Sequence, residues 1–275
     1  MRKIFYLAIL FVVFSGVFLV SLLSGGGINP ELIPVALFSN DLSSTSLNKY
    51  GHEDVRDLAK EKLSYKFFDA DGVIIYKFPK TNVDINYYHN SSFQSLKDFS
   101  IKKNLYLAIN GGYFLKDFSH AGLFVLEGKT VVKLASLDKQ INGVVSKRSG
   151  KIMIESLEQI KSYDNLDFAF QTGPIFVKEG RVLDQDINQS LNGKGEYNRS
   201  FFGLDNESIY IGYSSKKIIL NKLGEIIVQN IDSSDLVVIN LDGGSSTSFF
   251  SAESSNDSFR TSKQLPFILG VILKQ

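Results

Sequence analysis

The sequence predicts an α+β fold: a mixed, strand-rich sheet with a few packed helices, in a single domain that follows an N-terminal hydrophobic segment. Three observations predict it. Short runs of apolar and β-branched residues recur along residues 63–275, and turn residues separate them. One segment of that region, 216–229, repeats its apolar residues at about the 3.6-residue period of a helix. The 275 residues are 44% hydrophobic, which is enough for one sizeable core.

The predicted elements are mostly strands, with a few helices among them. Turn residues at 69–72, 127–128 and 205–207 each join two apolar runs, and this pattern predicts three hairpins. The predicted strands are 64–68, 73–78, 83–89, 105–109, 122–126, 129–134, 151–154, 168–171, 175–178, 181–183, 201–204, 208–213, 236–241 and 267–274. The predicted helices are 95–103, 216–229 and a short one near 53–62.

The N-terminus predicts export. Residues 4–23 are twenty uncharged, mostly apolar residues after Arg2 and Lys3. About 20 such residues span a bilayer, whereas the core of a cleavable signal peptide is usually shorter. Residues 1–27 are therefore predicted to be a membrane anchor, with a signal peptide cleaved near 24–26 as the open alternative. In either case the basic N-terminus favours export of the rest of the chain. The protein is then expected to face outward from the membrane or, if the leader is cleaved, to be secreted. Residues 28–62 are predicted to be a tether that leads to the domain.

Composition excludes several classes of site. The 30 Lys+Arg and 29 Asp+Glu residues nearly balance, so no nucleic-acid partner is expected. Without cysteine, the chain has no disulfide, no thiol nucleophile and no thiolate metal site. The three histidines are scattered along the chain, which argues against a histidine-rich zinc site. No cofactor is expected, although a divalent cation held by Asp205, Asp242 and Asp257 stays an open alternative.

The most informative segment begins at Asp242, which follows the apolar run 236–239. A carboxylate at a strand end is held rigidly by the backbone. Gly243 and Gly244 permit a positive φ and let a ligand approach the main chain. The N–H groups of such a turn are expected to form a concavity for an anion, together with the hydroxyls of Ser245 and Ser246.

A second segment has the same build. Asn110 follows the apolar run 105–109, and Gly111 and Gly112 come next. The Asn110 amide can both donate and accept hydrogen bonds, and the two glycines again invite close approach of a ligand. An ordinary Asn-Gly turn is the structural alternative.

Three further positions are candidates. Thr172 and Gly173 lie between two strand-like runs, where a Gly-Pro turn is the structural alternative. Arg199 precedes a predicted strand and suits bidentate binding of a phosphate. His120 has a side chain that titrates near neutral pH, which suits an acid/base or substrate contact, although a lone loop histidine is more often structural.

Taken in order, these segments resemble the phosphodiester glycosidase domain family over residues 63–275. The segments that carry the resemblance are Ala108–Phe114, Ala121–Leu123 with Glu127–Lys129, Gln171–Pro174 with Glu179–Arg181, Asn198–Ser200 with Gly203–Asp205, and Ile239–Thr247. The resemblance implies a hydrolase that acts on a sugar joined through C1 to a phosphodiester. The expected substrate is a phosphorylated glycan of the cell envelope or the extracellular space.

The chemistry assigns roles to these residues as a hypothesis. Cleavage at C1 builds positive charge on the sugar ring, and the phosphate leaves as a weak base. Arg199 and the turn N–H groups are expected to stabilise the phosphate, and Asp242 to orient water or stabilise the cation. Asn110 is expected to hold sugar hydroxyls or the water. A non-catalytic envelope protein that binds a phosphorylated glycan is the alternative, since binding uses the same groups.

Overall fold

The computed structural model describes residues 65–135, 139–160, 162–190, 193–253, 258–259 and 264–274. The predictions for residues 1–27 and 28–62, including the helix near 53–62, lie outside these residues. Within the described ranges, no helix has the length and apolar character needed to cross a membrane.

The described part of the chain is mostly sheet, as predicted. The strands are β1 (Lys66–Ala70), β2 (Val73–Pro79), β3 (Val83–His89), β4 (Leu107–Asn110), β5 (Phe124–Leu126), β6 (Lys129–Val132), β7 (Gly143–Arg148), β8 (Lys151–Ser156), β9 (Phe168–Thr172), β10 (Ile175–Lys178), β11 (Arg181–Val182), β12 (Ser200–Leu204), β13 (Ser208–Ser214), β14 (Val237–Asn240), β15 (Phe249–Ser251) and β16 (Phe267–Leu273). The α-helices are α1 (Leu96–Lys102), α2 (Asp184–Gln189) and α3 (Leu220–Asn230). Single 3₁₀ turns lie at Lys139–Ile141 and Gly244–Ser246.

The strands form three sheets, which corrects the expectation of one mixed sheet. Their orders are β1-β2-β13-β12-β14-β10-β11, then β15-β4-β16-β3, and β6-β5-β9-β7-β8. Every pairing between the named strands is antiparallel. Tight turns connect many neighbours along the chain, and a tight turn can join only antiparallel strands.

One core joins the three sheets. Tyr76 of the first sheet, Leu107 of the second and Phe170 of the third are fully buried in the same apolar cluster. These side chains come from the inner faces of their sheets. The three sheets therefore form one domain around a shared core.

The outer face of the seven-stranded sheet carries a second core. Along β2, Ile74 and Tyr76 belong to the central core, whereas Val73 and Ile75 point to the other face, as the two-residue period of a strand requires. Leu223 and Ile227 of α3 cover that second face. Helix α3 thus seals the sheet whose strands β12 and β14 lead to the site described next.

Candidate active site

A pocket of about 250 Å³ lies where β12 begins and β14 ends. Five of the predicted site residues line it together with two tyrosines: Tyr113, Tyr197, Arg199, Asp242, Gly243, Gly244 and Ser245. Depressions of up to about 330 Å³ occur elsewhere on the described surface. We place the candidate site in the smaller pocket because five residues that the sequence singled out, Arg199 and Asp242 among them, converge on it.

Asp242 is fixed through its backbone. Its N–H donates to the Gly111 carbonyl at 3.1 Å, and its own carbonyl accepts from Asn110 Nδ2 at 2.6 Å. Its Oδ1 accepts from the Gly243 N–H at 2.9 Å. The two predicted Gly-Gly segments are therefore hydrogen-bonded to each other, and the partly exposed Asp242 carboxylate lines the pocket at their junction.

Asn110 connects three parts of the fold. It ends β4 and is 1% exposed. Its Oδ1 accepts from Ser200 Oγ at 2.6 Å and from the Ser248 N–H at 3.1 Å, and its Nδ2 holds the Asp242 carbonyl. Both ends of the amide are engaged with protein groups, and Asn110 does not line the pocket. The geometry favours a positioning role over the direct substrate contact that the sequence suggests.

Gly111 and Gly112 serve packing. A Cβ at Gly111 would lie 2.5 Å from Tyr87 Oη, and one at Gly112 would lie 3.1 Å from His120 Nε2. The Gly112 N–H donates to Tyr87 Oη at 3.0 Å. Gly111 therefore lets Tyr87 approach the backbone, and Gly112 leaves room for His120; neither glycine lines the pocket.

Gly243 and Gly244 only partly match their prediction. Gly244 has a φ of +59°, which favours glycine, but Gly243 is extended with a φ of −127°. The Gly243 N–H donates to Asp242 Oδ1, the Gly244 N–H to the Asn198 carbonyl at 2.8 Å, and the Ser246 N–H to the Gly243 carbonyl at 3.1 Å. The prediction that the N–H groups of this turn bind an anion is therefore wrong for these three groups, because each already donates to an acceptor in the protein.

The hydroxyl residues after the glycines divide into two environments. Ser245 is exposed and lines the pocket, whereas Ser246 is 1% exposed and does not. The 3₁₀ turn at Gly244–Ser246 produces this division, because consecutive side chains of a tight turn point in different directions. Only the first of the two predicted hydroxyls is therefore placed to meet a ligand.

Arg199 supplies a guanidinium that is held in place. It is 2% exposed, yet it lines the pocket. Its Nη2 donates to the Gly195 carbonyl at 2.6 Å and its Nε to the Ile218 carbonyl at 3.3 Å. Burial lowers the pKa of Arg199, and the hydroxyls of Tyr113 and Tyr197 act in the opposite direction. An arginine remains protonated in proteins, so the group presents a fixed positive charge to the pocket.

Thr172 and Gly173 lie behind the pocket and support it. The fully buried Thr172 donates from Oγ1 to the Asn240 carbonyl at 2.9 Å. Asn240 Nδ2 in turn donates to Tyr113 Oη at 2.8 Å, and Tyr113 Oη donates to the Gly173 carbonyl at 3.1 Å. Neither predicted residue lines the pocket. Together with Asn240, they fix the position of the Tyr113 ring that does.

The structure does not bring His120 to the pocket. The side chain is 2% exposed and packs among aromatic rings, 5.4 Å from Phe124 and 4.8 Å from Phe267 between ring centroids. Its Nε2 lies 3.1 Å from Tyr87 Oη. Burial lowers the pKa of His120 to about 3, so the ring is neutral at physiological pH. Its position corrects the expected substrate contact, because a buried neutral ring outside the pocket cannot exchange protons with a ligand there.

Of the three carboxylates of the cation alternative, the two that the structure describes, Asp205 and Asp242, lie apart. Asp205 lies at the opposite end of β12 from Arg199, and its carboxylate accepts from two backbone N–H groups and from Tyr210 Oη at 2.7 Å. Asp257 lies outside the described residues. Among the residues that the structure describes, no group of three or more His, Cys, Asp or Glu side chains has a geometry suited to a metal ion.

Sequence reasoning missed Tyr113, Tyr197 and Asn240. Each lies within two residues of a predicted one: Tyr113 follows Gly112, Tyr197 precedes Arg199 by two positions, and Asn240 precedes Asp242 by two. Residues two apart in an extended segment share a face, which is the signal that was available for the last two.

Comparison with known proteins identifies the family. The sequence profile of the phosphodiester glycosidase family matches residues 103–272, more than half of the chain. Among solved structures, the fold is similar to the catalytic domain of zebrafish N-acetylglucosamine-1-phosphodiester alpha-N-acetylglucosaminidase, a structure auto-inhibited by its pro-peptide. The TM-score is 0.52 at 13% identity, and the alignment covers 81% of this chain and 94% of that one.

A hypothetical protein from Synechocystis aligns with a TM-score of 0.49 at 13% identity, over 76% of this chain and 61% of that one. No curated protein sequence gives a significant match. The family match includes every predicted site segment from Asn110 to Ser246. The chain therefore belongs to the phosphodiester glycosidase family.

Proposed function

We propose that this protein hydrolyses a glycosyl-1-phosphodiester, releasing the sugar and a phosphomonoester. One observation carries the proposal: a fixed guanidinium, Arg199, and a carboxylate, Asp242, line the same pocket. Membership of the family supports the class of reaction. The reaction needs a positive group for the departing phosphate and a negative one for the sugar, and the pocket offers both.

The proposed step breaks the bond between C1 and the phosphate oxygen. The electron pair of that bond stays on the phosphate, and the water oxygen bonds to C1. Arg199 stabilises the charge of the departing phosphate, and its fixed position avoids reorganisation during the reaction. Asp242 stabilises the positive charge that develops on the sugar ring, or orients the water and accepts its proton.

Buried residues next to the pocket support the segment that carries Asp242. Asn110 holds the Asp242 carbonyl, and Thr172 holds the Asn240 backbone. The exposed hydroxyl of Ser245 lines the pocket and can contact phosphate or sugar oxygens, whereas Tyr113 Oη is already bonded to Asn240 and Gly173. Since the N–H groups of Gly243 and Gly244 are already bonded within the protein, the positive charge of Arg199 has to supply more of the phosphate stabilisation.

The proposed setting is outside the cytoplasm. The apolar segment 4–23 is the basis for this part, as an anchor in the cell membrane or as a cleaved leader. A phosphorylated glycan of the envelope or the extracellular space would then be the substrate. Release of the protein from membranes by high salt, without detergent, would count against the anchor.

The test is turnover of defined sugar-1-phosphodiesters by purified wild type, Asp242→Asn and Arg199→Ala. We expect Asp242→Asn to abolish turnover without unfolding, because the amide oxygen of asparagine can still accept from the Gly243 N–H. Asp232→Asn, an exposed carboxylate away from the pocket, is the matched control and should retain full activity. Substantial turnover by folded Asp242→Asn would remove its assignment, and binding without turnover by wild type would favour the non-catalytic alternative.

A further inference from the structure

We propose that Tyr197 forms the sugar-binding wall of the pocket and so helps to determine which glycosyl group is accepted. The inference rests on the proposed function. It adds an aromatic contact for the pyranose ring, next to the guanidinium that binds the phosphate. Tyr197 lies two residues before Arg199 and lines the same pocket.

The Tyr197 ring is supported yet open to a ligand. Its backbone pairs with Ile218, with hydrogen bonds of 3.3 and 2.9 Å in the two directions. A Cβ at Gly195 would lie 2.3 Å from Tyr197 Cε2, so the absence of a side chain at Gly195 provides the space in which the ring lies. The residue nevertheless remains 42% exposed. A preorganised aromatic surface loses little conformational entropy when a ligand binds.

The ring contacts both the guanidinium and the segment that carries the carboxylate. Its centroid is 5.2 Å from Arg199 Cζ, within the range of a cation–π contact. A Cβ at Gly244 would lie 3.8 Å from Tyr197 Cδ1, so the ring also reaches the turn that follows Asp242. Tyr197 therefore bridges the phosphate-binding guanidinium and the segment that carries the carboxylate.

This position fits the sugar side of a glycosyl phosphodiester. Only one oxygen atom separates C1 from phosphorus, so a phosphate held by Arg199 keeps the pyranose ring next to it. The ring must also bring C1 towards Asp242, which places it on the side of Gly244 and Tyr197. A pyranose presents an apolar face of C–H groups, and these are attracted to the electron-rich face of an aromatic ring.

The test separates sugar recognition from phosphate recognition. The full-length protein is titrated with orthophosphate and with the 1-phosphates of N-acetylglucosamine, glucose and mannose, and binding is followed by ligand-observed NMR. The ratio of the dissociation constants for orthophosphate and for the best sugar phosphate measures the sugar contact. We compare wild type with Tyr197→Phe, which keeps the ring, and Tyr197→Leu, which keeps an apolar side chain but removes the ring.

We expect wild type to prefer a sugar phosphate over orthophosphate. Tyr197→Leu should lose about tenfold of that preference, while Tyr197→Phe keeps it and orthophosphate binding changes by less than about twofold. The inference is overturned if Tyr197→Leu retains the preference. It is also overturned if both ligands weaken equally, since the ring would then act only through Arg199, or if wild type binds no sugar phosphate better than orthophosphate.

Parallel turnover assays keep the two claims distinct. Turnover by wild type, combined with a preference that Tyr197→Leu does not change, removes the sugar-binding wall and leaves the proposed function. A preference that Tyr197→Leu abolishes, without turnover of any phosphodiester by wild type, removes the proposed function and leaves a glycosyl phosphate binding site.

Discussion

Replacing Asn110 with alanine should both destabilise the domain and inactivate the pocket. The side chain makes three close hydrogen bonds, to Ser200 Oγ at 2.6 Å, the Ser248 N–H at 3.1 Å and the Asp242 carbonyl at 2.6 Å. Each such bond contributes about 1 kcal/mol net, and a buried partner left unsatisfied adds a penalty of similar size. The expected loss is about 3–5 kcal/mol, which lowers the melting temperature of a domain of this size by on the order of 10 °C.

The assay combines thermal unfolding, followed by circular dichroism, with turnover at a temperature where the variant is folded. Asn110→Asp keeps the shape and one acceptor, but it places an oxygen against the Asp242 carbonyl, so we expect activity to fall even where folding survives. Asn82→Ala, at an exposed position, is the control and should shift stability by less than about 0.5 kcal/mol. A melting temperature within 2 °C of wild type, together with retained turnover by Asn110→Ala, would refute the positioning role.

Three other predictions address charge, packing and pH. Arg199→Lys should lower kcat/KM by at least about tenfold, since one ammonium cannot bond two carbonyls and also bind the phosphate of the proposed substrate. Arg181→Lys, at an exposed position, is the control and should have no effect. Equal kinetics for both variants would contradict the assignment of Arg199. Gly111→Ala should destabilise by about 1–3 kcal/mol in urea unfolding, because its Cβ would meet Tyr87 Oη at 2.5 Å, and an unchanged midpoint would count against that contact. The pKa of His120 is about 3 in the folded protein and 6.5 when unperturbed, so the unfolded state binds more protons below pH 6.5. The free energy of unfolding should therefore fall by up to about 1.4 kcal/mol per pH unit below that value. Between pH 7 and pH 5, His120→Gln should lose less stability than wild type. If stability falls equally steeply with pH in both proteins, His120 protonates freely in the folded state.

The strand pattern was largely predictable because local signals specify hairpins. Turn residues between alternating apolar runs located β1 with β2, β5 with β6, and β12 with β13. Strand β7 was missed because its second half reads Ser146-Lys147-Arg148, which does not resemble a buried strand. Lys147 is buried there because its ammonium pairs with Asp84 at 2.7 Å, a contact between residues 63 positions apart.

The sequence predicted which segments form the candidate site, but not which of their side chains line the pocket. Composition and position singled out Asp242 and Arg199, and both line the pocket. The hydrogen bonds that engage Asn110 come from residues 90 and 138 positions away, and no local pattern reports them. Likewise, the glycine at position 111 looked like a ligand contact, whereas its role is to accommodate Tyr87.

The most direct test of the central claim is which bond breaks. Hydrolysis of a sugar-1-phosphodiester in water enriched with oxygen-18 distinguishes attack at C1 from attack at phosphorus, and ³¹P NMR of the phosphomonoester shows which occurred. If Arg199 and Asp242 act as proposed, the phosphomonoester carries no label, because its oxygens all come from the substrate. Labelled phosphomonoester would mean attack at phosphorus and would contradict the account.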